Sequence, residues 1–326
     1  MSNLDAAPAE VACSASHGGG VPLAVEVLSA REVPLGGPRA LPVRRTLPQR
    51  GRSLIGAWCF IDHYGPTPAS MDVPPHPHTG LQTVSWLFGG EIEHRDSAGV
   101  HALVRPGELN LMTAGAGICH SEVSVGGGVL HGVQLWVALP GSARDTSRDF
   151  AHYAPTPVRL PNATARVFLG ALAGSQSPVH TFTPLLGAQL DLDPNAVLDV
   201  AVDPAFEHGA LCDTDGIELC GTPLVFGDVG YLAPGRSTVR LRNHTDRPAR
   251  ALLLGGTPFT EELVMWWNFV ARSHDDIVTY RRLWQERDDR FGVVDGYSGA
   301  VNRLPAPPLP TTRLIPRPAP NRREHQ

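Results

Sequence analysis

The sequence predicts an all-β fold of two β-barrels followed by a helix. Short apolar runs, rich in Val, Leu and Trp and each bounded by Gly, Pro or Asp, recur from about residue 22 to 140 and again from about 195 to 256. Runs of four to nine residues at this spacing are typical of a sandwich or barrel. The 326 residues also include 34 Gly and 31 Pro, which favours many turns and short strands over long helices.

The two series of runs define the predicted domains. The first contains VPLAVEVL, SLIGAWCFI, QTVSWLF, EIEHRD, HALVRPG, ELNLMTAG and GVQLWVALP. The second includes AVLDVAVD, GIELCG, TPLVFGDVGYLAPG, STVRLRN and ARALLLGG. VRPGELNLM and LAPGRSTVRL each place a Pro-Gly turn between apolar strands, which indicates a degenerate duplication. We expect barrels over 21–150 and 186–302, joined by a connection over 151–185.

A stretch without Pro or Gly follows the second series, TEELVMWWNFVARSHDDIVTYRRLWQERDD at 260–289. It is the best helical candidate in the chain, with Thr260 as a plausible N-cap. Apolar residues recur at helical spacing, and this pattern favours a helix face packed on a sheet over a ligand-stacking surface. They are Leu263, Trp266, Trp267, Val270, Ile277, Tyr280 and Trp284.

Composition excludes several classes of function. All 27 basic residues are Arg, so Schiff-base and lysine-base chemistry is excluded. A net charge of −5 gives no reason to expect nucleic-acid binding. The sequence has no signal-peptide pattern and no run of about 18 apolar residues, so we expect a soluble, cytoplasmic protein that does not bind a membrane. We expect poorly ordered tails at 1–20 and at the Pro- and Arg-rich 303–326.

Two short motifs carry the candidate chemistry, His76-Pro77-His78 and His120-Ser121-Glu122. Alternate residues of a strand project from one face, so each motif can aim two polar side chains into a barrel interior. Two such pairs facing each other across the interior give three imidazole nitrogens and one carboxylate oxygen, a set that suits a divalent transition metal and leaves positions for water, oxygen or substrate. The alternative is that these four residues are unrelated polar residues in surface turns. It is the weaker interpretation, because matched polar pairs on two apolar strands need a partner to satisfy them.

The remaining histidines carry less weight. Four in the first half could reach the mouth of the cavity, although each is better read as a structural or surface residue: His63, His94, His101 and His131. Four in the second half stand alone, without an HxH or HxE pair: His180, His208, His244 and His274. We therefore expect the second barrel to bind no metal.

These motifs resemble the pirin family, a branch of the cupin superfamily. The resemblance rests on PPHPHTGLQTV, EHRDSAG, RPGELNLMTAGAGICHSE and VQLWV, in that order, and extends to GTPFTEELVMWWNF. It implies a bicupin, with two cupin (jelly-roll) barrels facing each other and one iron, most commonly Fe(II), in the first. The metal ligands that it implies are His76, His78, His120 and Glu122. Many pirins have Glu where this chain has Gln82, a change expected to alter the pocket and leave the ligands intact.

The resemblance implies two kinds of function. The first is a quercetin 2,3-dioxygenase-like enzyme that binds a flavonol at the open metal positions, with Glu122 accepting the proton of its 3-hydroxyl group. The alternative is an iron-binding module that engages a regulatory protein without turnover. A metal-dependent isomerase or epimerase of the wider cupin type is less favoured. The ligand set itself accepts Fe, Mn, Co, Ni, Cu or Zn.

Overall fold

A computed structural model of the chain describes residues 11–13, 24–35, 41–68, 70–310 and 312–313. Thirteen strands lie in the first half of these residues: β1 Val11–Cys13, β2 Glu26–Leu28, β3 Arg31–Leu35, β4 Leu41–Leu47, β5 Trp58–Thr67, β6 Asp72–His78, β7 Leu81–Gly89, β8 Glu91–Asp96, β9 His101–Val104, β10 Leu109–Thr113, β11 Ile118–Val125, β12 Leu130–Ala138 and β13 Asp149–Tyr153.

The second half contains fourteen strands and a helix: β14 Val158–Leu160, β15 Ala163–Leu169, β16 Ala171–Leu172, β17 Ser175–Gln176, β18 Leu185–Leu192, β19 Val197–Ala201, β20 Glu207–Cys212, β21 Ile217–Leu219, β22 Thr222–Leu224, β23 Val229–Leu232, β24 Thr238–Asn243, β25 Ala249–Gly256, β26 Leu263–Trp266, β27 Phe269–Ala271 and α1 His274–Gln285. No helix in the described part of the chain has the length and apolar character needed to cross a membrane.

Two barrels of the same topology form the body of the molecule. In the first, a seven-stranded sheet (β13-β10-β7-β12-β5-β4-β3) packs against a four-stranded sheet (β6-β11-β8-β9). In the second, the sheets are β14-β15-β18-β25-β20-β23-β2 and β19-β24-β21-β22. The inner order β10-β7-β12-β5 corresponds to β23-β20-β25-β18, and the four-stranded sheets also correspond strand for strand. The predicted all-β, two-barrel fold is confirmed.

The segment predicted as a connection, 151–185, contributes strands to both barrels. Strand β13 pairs with β10 of the first barrel, whereas β15 pairs with β18 of the second. Near the N-terminus, β2 pairs with β23 and so joins the second barrel, although it precedes the first barrel in sequence. The chain therefore crosses between the barrels more than once.

The barrels pack through a shared apolar core. The indole Nε1 of Trp58 in the first barrel lies 3.2 Å from the carbonyl oxygens of Leu186 and Gly255 in the second and can donate to them. Trp86 donates from Nε1 to Gln189 Oε1 at 2.9 Å and stacks on Phe168, with ring centroids 4.5 Å apart. Buried Trp side chains combine a large apolar area with a donor that needs a partner, and here the partners lie on the other barrel.

The helix prediction over 260–289 is correct only for its second part. The helix α1 has Ser273, not Thr260, as its N-cap, in a capping box with Asp276. Before it, β26 and β27 form a hairpin that turns at Trp267, whose φ is 54°. Val, Trp and Phe are strong strand formers, and here pairing outweighs the helical spacing. The predicted apolar face is confirmed for Ile277, Tyr280 and Trp284, which are buried.

The first residues of the predicted C-terminal tail are docked on the body of the protein. Leu304 donates its backbone N–H to the Pro75 carbonyl at 2.8 Å, and Trp284 donates from Nε1 to the Leu304 carbonyl at 2.8 Å. Arg281 donates from Nε to the Pro307 carbonyl at 2.6 Å. The expectation of a poorly ordered tail is therefore wrong for 303–310. Residues 314–326, and most of the tail predicted at 1–20, lie outside the described residues.

Candidate metal centre

The two predicted motifs lie side by side on neighbouring strands of one sheet. Strand β6 carries His76 and His78, and β11 carries His120 and Glu122. The strands pair antiparallel, with His76 directly opposite His120. The two pairs do not face each other across the interior as predicted, but lie on adjacent strands of the four-stranded sheet. All four side chains are fully buried.

A β-bulge precedes His76. The register pairs His120 with His76 but Glu122 with Val73, so two residues of β6 oppose the single Ser121 of β11. Those two residues are Pro74 and Pro75, which lack an N–H donor for the ladder. Proline is tolerated at bulges for this reason, and bulges commonly re-aim side chains beside functional sites. The double proline therefore explains how the local sequence sets this register.

The three imidazoles converge. One ring nitrogen from each of His76, His78 and His120 lies within 4.8 Å of the other two. The Nε2 atoms of His78 and His120 are 3.1 Å apart. The His76 and His120 rings have centroids 4.3 Å apart. Three nitrogens this close in a buried position form a ready donor set for one metal ion.

Backbone carbonyls orient two of the rings. The Nδ1 atom of His76 lies 2.7 Å from the Pro74 carbonyl oxygen, and that of His78 lies 3.1 Å from the Asn268 carbonyl oxygen. A carbonyl can only accept, so each Nδ1 carries the proton and each Nε2 presents a lone pair. The carbonyl of Asn268 comes from the turn between β26 and β27. The C-terminal hairpin is thus part of the site's scaffold.

Burial favours the neutral, ligand-competent form of these rings. Desolvation lowers the pKa of His76 to about 4 and lowers the pKa values of His78 and His120 well below their usual range. In addition, His120 Nδ1 is buried without a hydrogen-bond partner among the described residues. Neutral imidazoles, two of them held by their Nδ1 protons, fit a divalent transition metal.

Glu122 stands beside the histidine cluster. Its carboxylate forms a second close group with His120 and His94, whose ligand atoms also lie within 4.8 Å of one another. The Ser85 hydroxyl on β7 lies 3.0 Å from Glu122 Oε1 and 3.0 Å from Gln134 Oε1, and can donate to either. The structure therefore brings the three predicted histidines together and places the predicted carboxylate at the edge of their cluster.

Sequence reasoning missed several residues around the centre. His94, read as a structural or surface histidine, is buried, with Nε2 3.1 Å from Asp96 Oδ2. Strand β8 pairs His94 with Glu122 and Asp96 with His120. In EHRD, His94 and Asp96 alternate as the residues of the two ligand motifs do, and this pattern was the signal in the sequence that could have placed them at the centre. Aromatic rings also border the site: Trp136 lies edge-on to His78 at 5.2 Å and Phe150 lies 4.9 Å from His94.

The other three first-half histidines lie away from this cluster. His101 is exposed and bonds Glu93 at 2.7 Å. His63 and His131 meet between the two barrels, as described below. Gln82, expected to border the pocket, donates from Nε2 to Thr113 Oγ1 at 2.9 Å. It lies three positions from Ser85 on β7, so strand alternation places it on the opposite face.

Fold and site together define a bicupin protein with a candidate metal centre in its first barrel. The Pirin family model matches residues 40–137, and the model of the Pirin C-terminal cupin domain matches residues 187–292. The chain therefore belongs to the pirin family.

The chain is similar to relatives along most of its length. It is 43% identical over 289 residues to a Pseudomonas aeruginosa protein provisionally named as a quercetin 2,3-dioxygenase, covering 87% of this chain and 90% of that one. It is 36% identical to a pirin-like protein of Caulobacter vibrioides, over 79% of this chain and 92% of the other. Human pirin is 27% identical, over 72% and 83% of the two chains.

Solved structures support the fold. A crystal structure of quercetin 2,3-dioxygenase from Acinetobacter baumannii superposes with a TM-score of 0.84 and 36% identity, covering 90% of this chain and 98% of that one. A bacterial pirin of Escherichia coli, YhhW, was solved in complex with nickel(II); it has a TM-score of 0.58 and 16% identity, over 72% of this chain and 99% of the other. At that identity it supports the fold alone.

Proposed function

We propose that this protein is a metal-dependent dioxygenase that cleaves flavonols such as quercetin with O₂. The observation that carries the proposal is the convergence of three buried, neutral imidazoles beside a buried carboxylate. A relative at 43% identity that is provisionally named as a quercetin 2,3-dioxygenase, and a solved structure at 36% identity that carries the same name, support the choice of reaction. We propose His76, His78, His120 and Glu122 as the ligands and Fe(II) as the ion.

The roles of the protein groups follow from their positions. When bound, the metal supplies Lewis-acid polarisation and a template for the flavonol and O₂. Glu122 is the group placed to accept the proton of the 3-hydroxyl, and general-base help of this kind is worth about 10²- to 10⁴-fold in rate. The Ser85 hydroxyl holds the Oε1 atom of that carboxylate. Phe150, half-buried beside His94, offers an apolar ring to an aromatic substrate, whereas Trp136 is buried, stacked on Phe60 and edge-on to His78.

The alternative, an iron-binding module that engages a regulatory protein without turnover, has one observation in its favour. All four proposed ligands are completely buried, so the centre presents no ligand surface to solvent. A buried ion of this kind can stabilise a barrel without meeting a substrate. The same ligand set serves both functions, so only an activity measurement separates them.

The test is an aerobic assay of purified, iron-loaded protein. We expect loss of quercetin absorbance with release of carbon monoxide. Glu122→Gln should lower the rate by about 10²- to 10⁴-fold if the carboxylate is the base, whereas His101→Ala, a change at an exposed histidine, should not. Iron-loaded protein that leaves flavonols unchanged would refute the dioxygenase and favour the binding module.

A further inference from the structure

A second cluster of metal-ligating side chains lies between the barrels. His63 on β5 and His131 on β12 belong to adjacent strands of the first barrel, with His63 opposite Val133 in the register. Asp213 directly follows β20 of the second barrel. The side chains of His63 and Asp213 are fully buried, and that of His131 is 15% exposed. Neither barrel alone contains the cluster.

Three donor atoms of this cluster converge on one point. The Nε2 atoms of His63 and His131 lie 2.8 and 2.7 Å from the same oxygen, Asp213 Oδ1. The two Nε2 atoms are 3.3 Å apart. Ligands placed about 2.1 Å from one ion stand roughly 3.0–3.4 Å from each other in octahedral or tetrahedral geometry. The nitrogen–nitrogen separation falls within this range, and the two nitrogen–oxygen separations are 0.2–0.3 Å shorter than its lower end.

A hydrogen-bond network is the alternative to an ion at this cluster. In that case both imidazoles donate their Nε2 protons to the single oxygen Asp213 Oδ1, which can accept two hydrogen bonds, and the two donor atoms lie 3.3 Å apart. With an ion present, the same nitrogens carry no proton and present lone pairs to it. Burial lowers the pKa of His63, which keeps that ring neutral and able to act as a ligand.

Arg250 approaches Asp213 at its other carboxylate oxygen and not at Oδ1, on which the two imidazoles converge. Arg250 Nη1 lies 3.4 Å from the other carboxylate oxygen, Oδ2, and its Nε donates to Asp191 Oδ1 at 2.9 Å. Asp191 therefore offsets the positive charge of Arg250. Phe88 and Arg250 also line a cavity of about 150 Å³ between the barrels, and the centroid of the Phe88 ring lies 4.8 Å from that of His131. The side chain of His131, which is 15% exposed, is the part of the cluster that reaches solvent.

We propose that His63, His131 and Asp213 form a second site for a divalent transition metal, which ties the two barrels together. Two imidazoles and one carboxylate from three separate segments are a ligand set that takes Zn²⁺ or Fe²⁺ with water in the open positions. The site shares no residue with the centre in the first barrel and does not depend on the proposed dioxygenase activity.

The first experiment counts ions. Full-length protein is stripped with a chelator, loaded with Zn²⁺ alone, passed through gel filtration and assayed for zinc per chain. We expect two ions in the wild type, one in Asp213→Asn and one in His131→Ala, with His101→Ala keeping two as the matched control. A wild type that retains one ion, or an Asp213→Asn variant that retains two, would overturn the proposal.

The second experiment isolates the new site. In a His76→Ala/His120→Ala background, which removes the first centre, we expect Zn²⁺ to raise the thermal unfolding midpoint because it binds only the folded pair of barrels. Adding Asp213→Asn should abolish the increase. If Zn²⁺ leaves the midpoint of the double variant unchanged, the cluster is a hydrogen-bond network only and the proposal fails.

Discussion

The two barrels share one topology but differ in what fills their interiors. In the four-stranded sheet of the first, β6 and β11 direct His76, His78, His120 and Glu122 into buried positions. The corresponding strands of the second, β19 and β24, bury only apolar side chains and one Asn: Leu198, Val200, Val239, Leu241 and Asn243. The strand order therefore builds the barrel, whereas a few inward side chains decide whether it offers a metal centre.

The outer faces of the two four-stranded sheets differ as well. In the second barrel β19 and β24 alternate strictly, with Asp199, Arg240 and Arg242 exposed on the outer side. In the first barrel Cys119 on β11 packs into a cluster with Val264, Phe269 and the buried residues of α1. The C-terminal hairpin and helix thus cover the outside of the ligand-bearing sheet. The same cover supplies the Asn268 carbonyl to His78, so the first barrel's centre depends on the far end of the chain.

The largest expected effect is on metal affinity, which should depend on the interior of the first barrel and not on that of the second. His120→Ala removes a central donor, and we expect metal affinity at this centre to fall by more than about 100-fold, beyond the effect of losing a supporting contact. His208→Ala is the matched control, because His208 is a buried histidine on the inward face of the second barrel with Ala210 and Cys212. Zinc titration of both variants measures the difference. Equal retention by His120→Ala and wild type would contradict the assignment.

A substitution in the apolar interior of the second barrel should lower stability and leave metal binding unchanged. Leu241→Ala should lower the free energy of unfolding by about 2–5 kcal/mol, because it leaves a cavity among buried residues. Metal binding in the first barrel should not change. Denaturant unfolding and zinc titration of one preparation test both halves of this expectation. A loss of the first-barrel ion in Leu241→Ala would show that the two interiors are coupled.

The buried histidine of the second barrel makes stability depend on pH. Burial lowers the pKa of His208 to about 4, against about 6.5 in the unfolded chain. Between pH 6.5 and 4 the unfolded chain binds a proton at this histidine that the folded chain does not bind. The contribution of neutral His208 to the free energy of unfolding is therefore complete above pH 6.5 and is lost as the pH falls to 4. The difference corresponds to roughly 3 kcal/mol. His208→Leu should therefore flatten the pH dependence of unfolding measured from pH 7 to 4; parallel curves would contradict this.

The smallest effects distinguish the two faces of β7 in the first barrel. Ser85→Ala removes the hydroxyl beside Glu122 Oε1, and we expect a 10- to 100-fold loss of metal affinity or activity. Gln82→Leu changes a side chain that bonds Thr113 on the opposite face, and we expect metal affinity within about 2-fold of wild type. Zinc titration of the pair tests the strand alternation directly. A larger loss in Gln82→Leu than in Ser85→Ala would reverse the assignment of the faces.

Much of the first barrel could be predicted because local patterns determine it. The alternation in His76-Pro77-His78 and His120-Ser121-Glu122 correctly indicated that each pair shares a face, and the apolar runs correctly indicated strands. Which strands are neighbours is set by long-range pairing, so the sequence did not show that β6 and β11 lie side by side. The duplication was correct, but the two Pro-Gly turns do not correspond: one precedes β10, and the other precedes β24, the equivalent of β11.

The cover of the first barrel was the hardest part to predict. The spacing of Leu263, Trp266 and Val270 fits a helix, yet the segment pairs as a hairpin with φ of 54° at Trp267. Pairing with β1 and burial against the first barrel decide its conformation, and neither is visible in local spacing. The docking of Leu304 on Pro75 likewise joins residues more than 200 positions apart. The cluster of His63, His131 and Asp213 escaped prediction for the same reason.

The most direct test of the centre in the first barrel is an anomalous difference map from crystals of the full chain loaded with Zn²⁺ or Fe²⁺. We expect a peak about 2.1 Å from the Nε2 atoms of His76, His78 and His120, with no peak among Leu198, Val200, Val239 and Leu241 in the second barrel. Loaded crystals with no peak at the three histidines, or with a peak inside the second barrel, would contradict it.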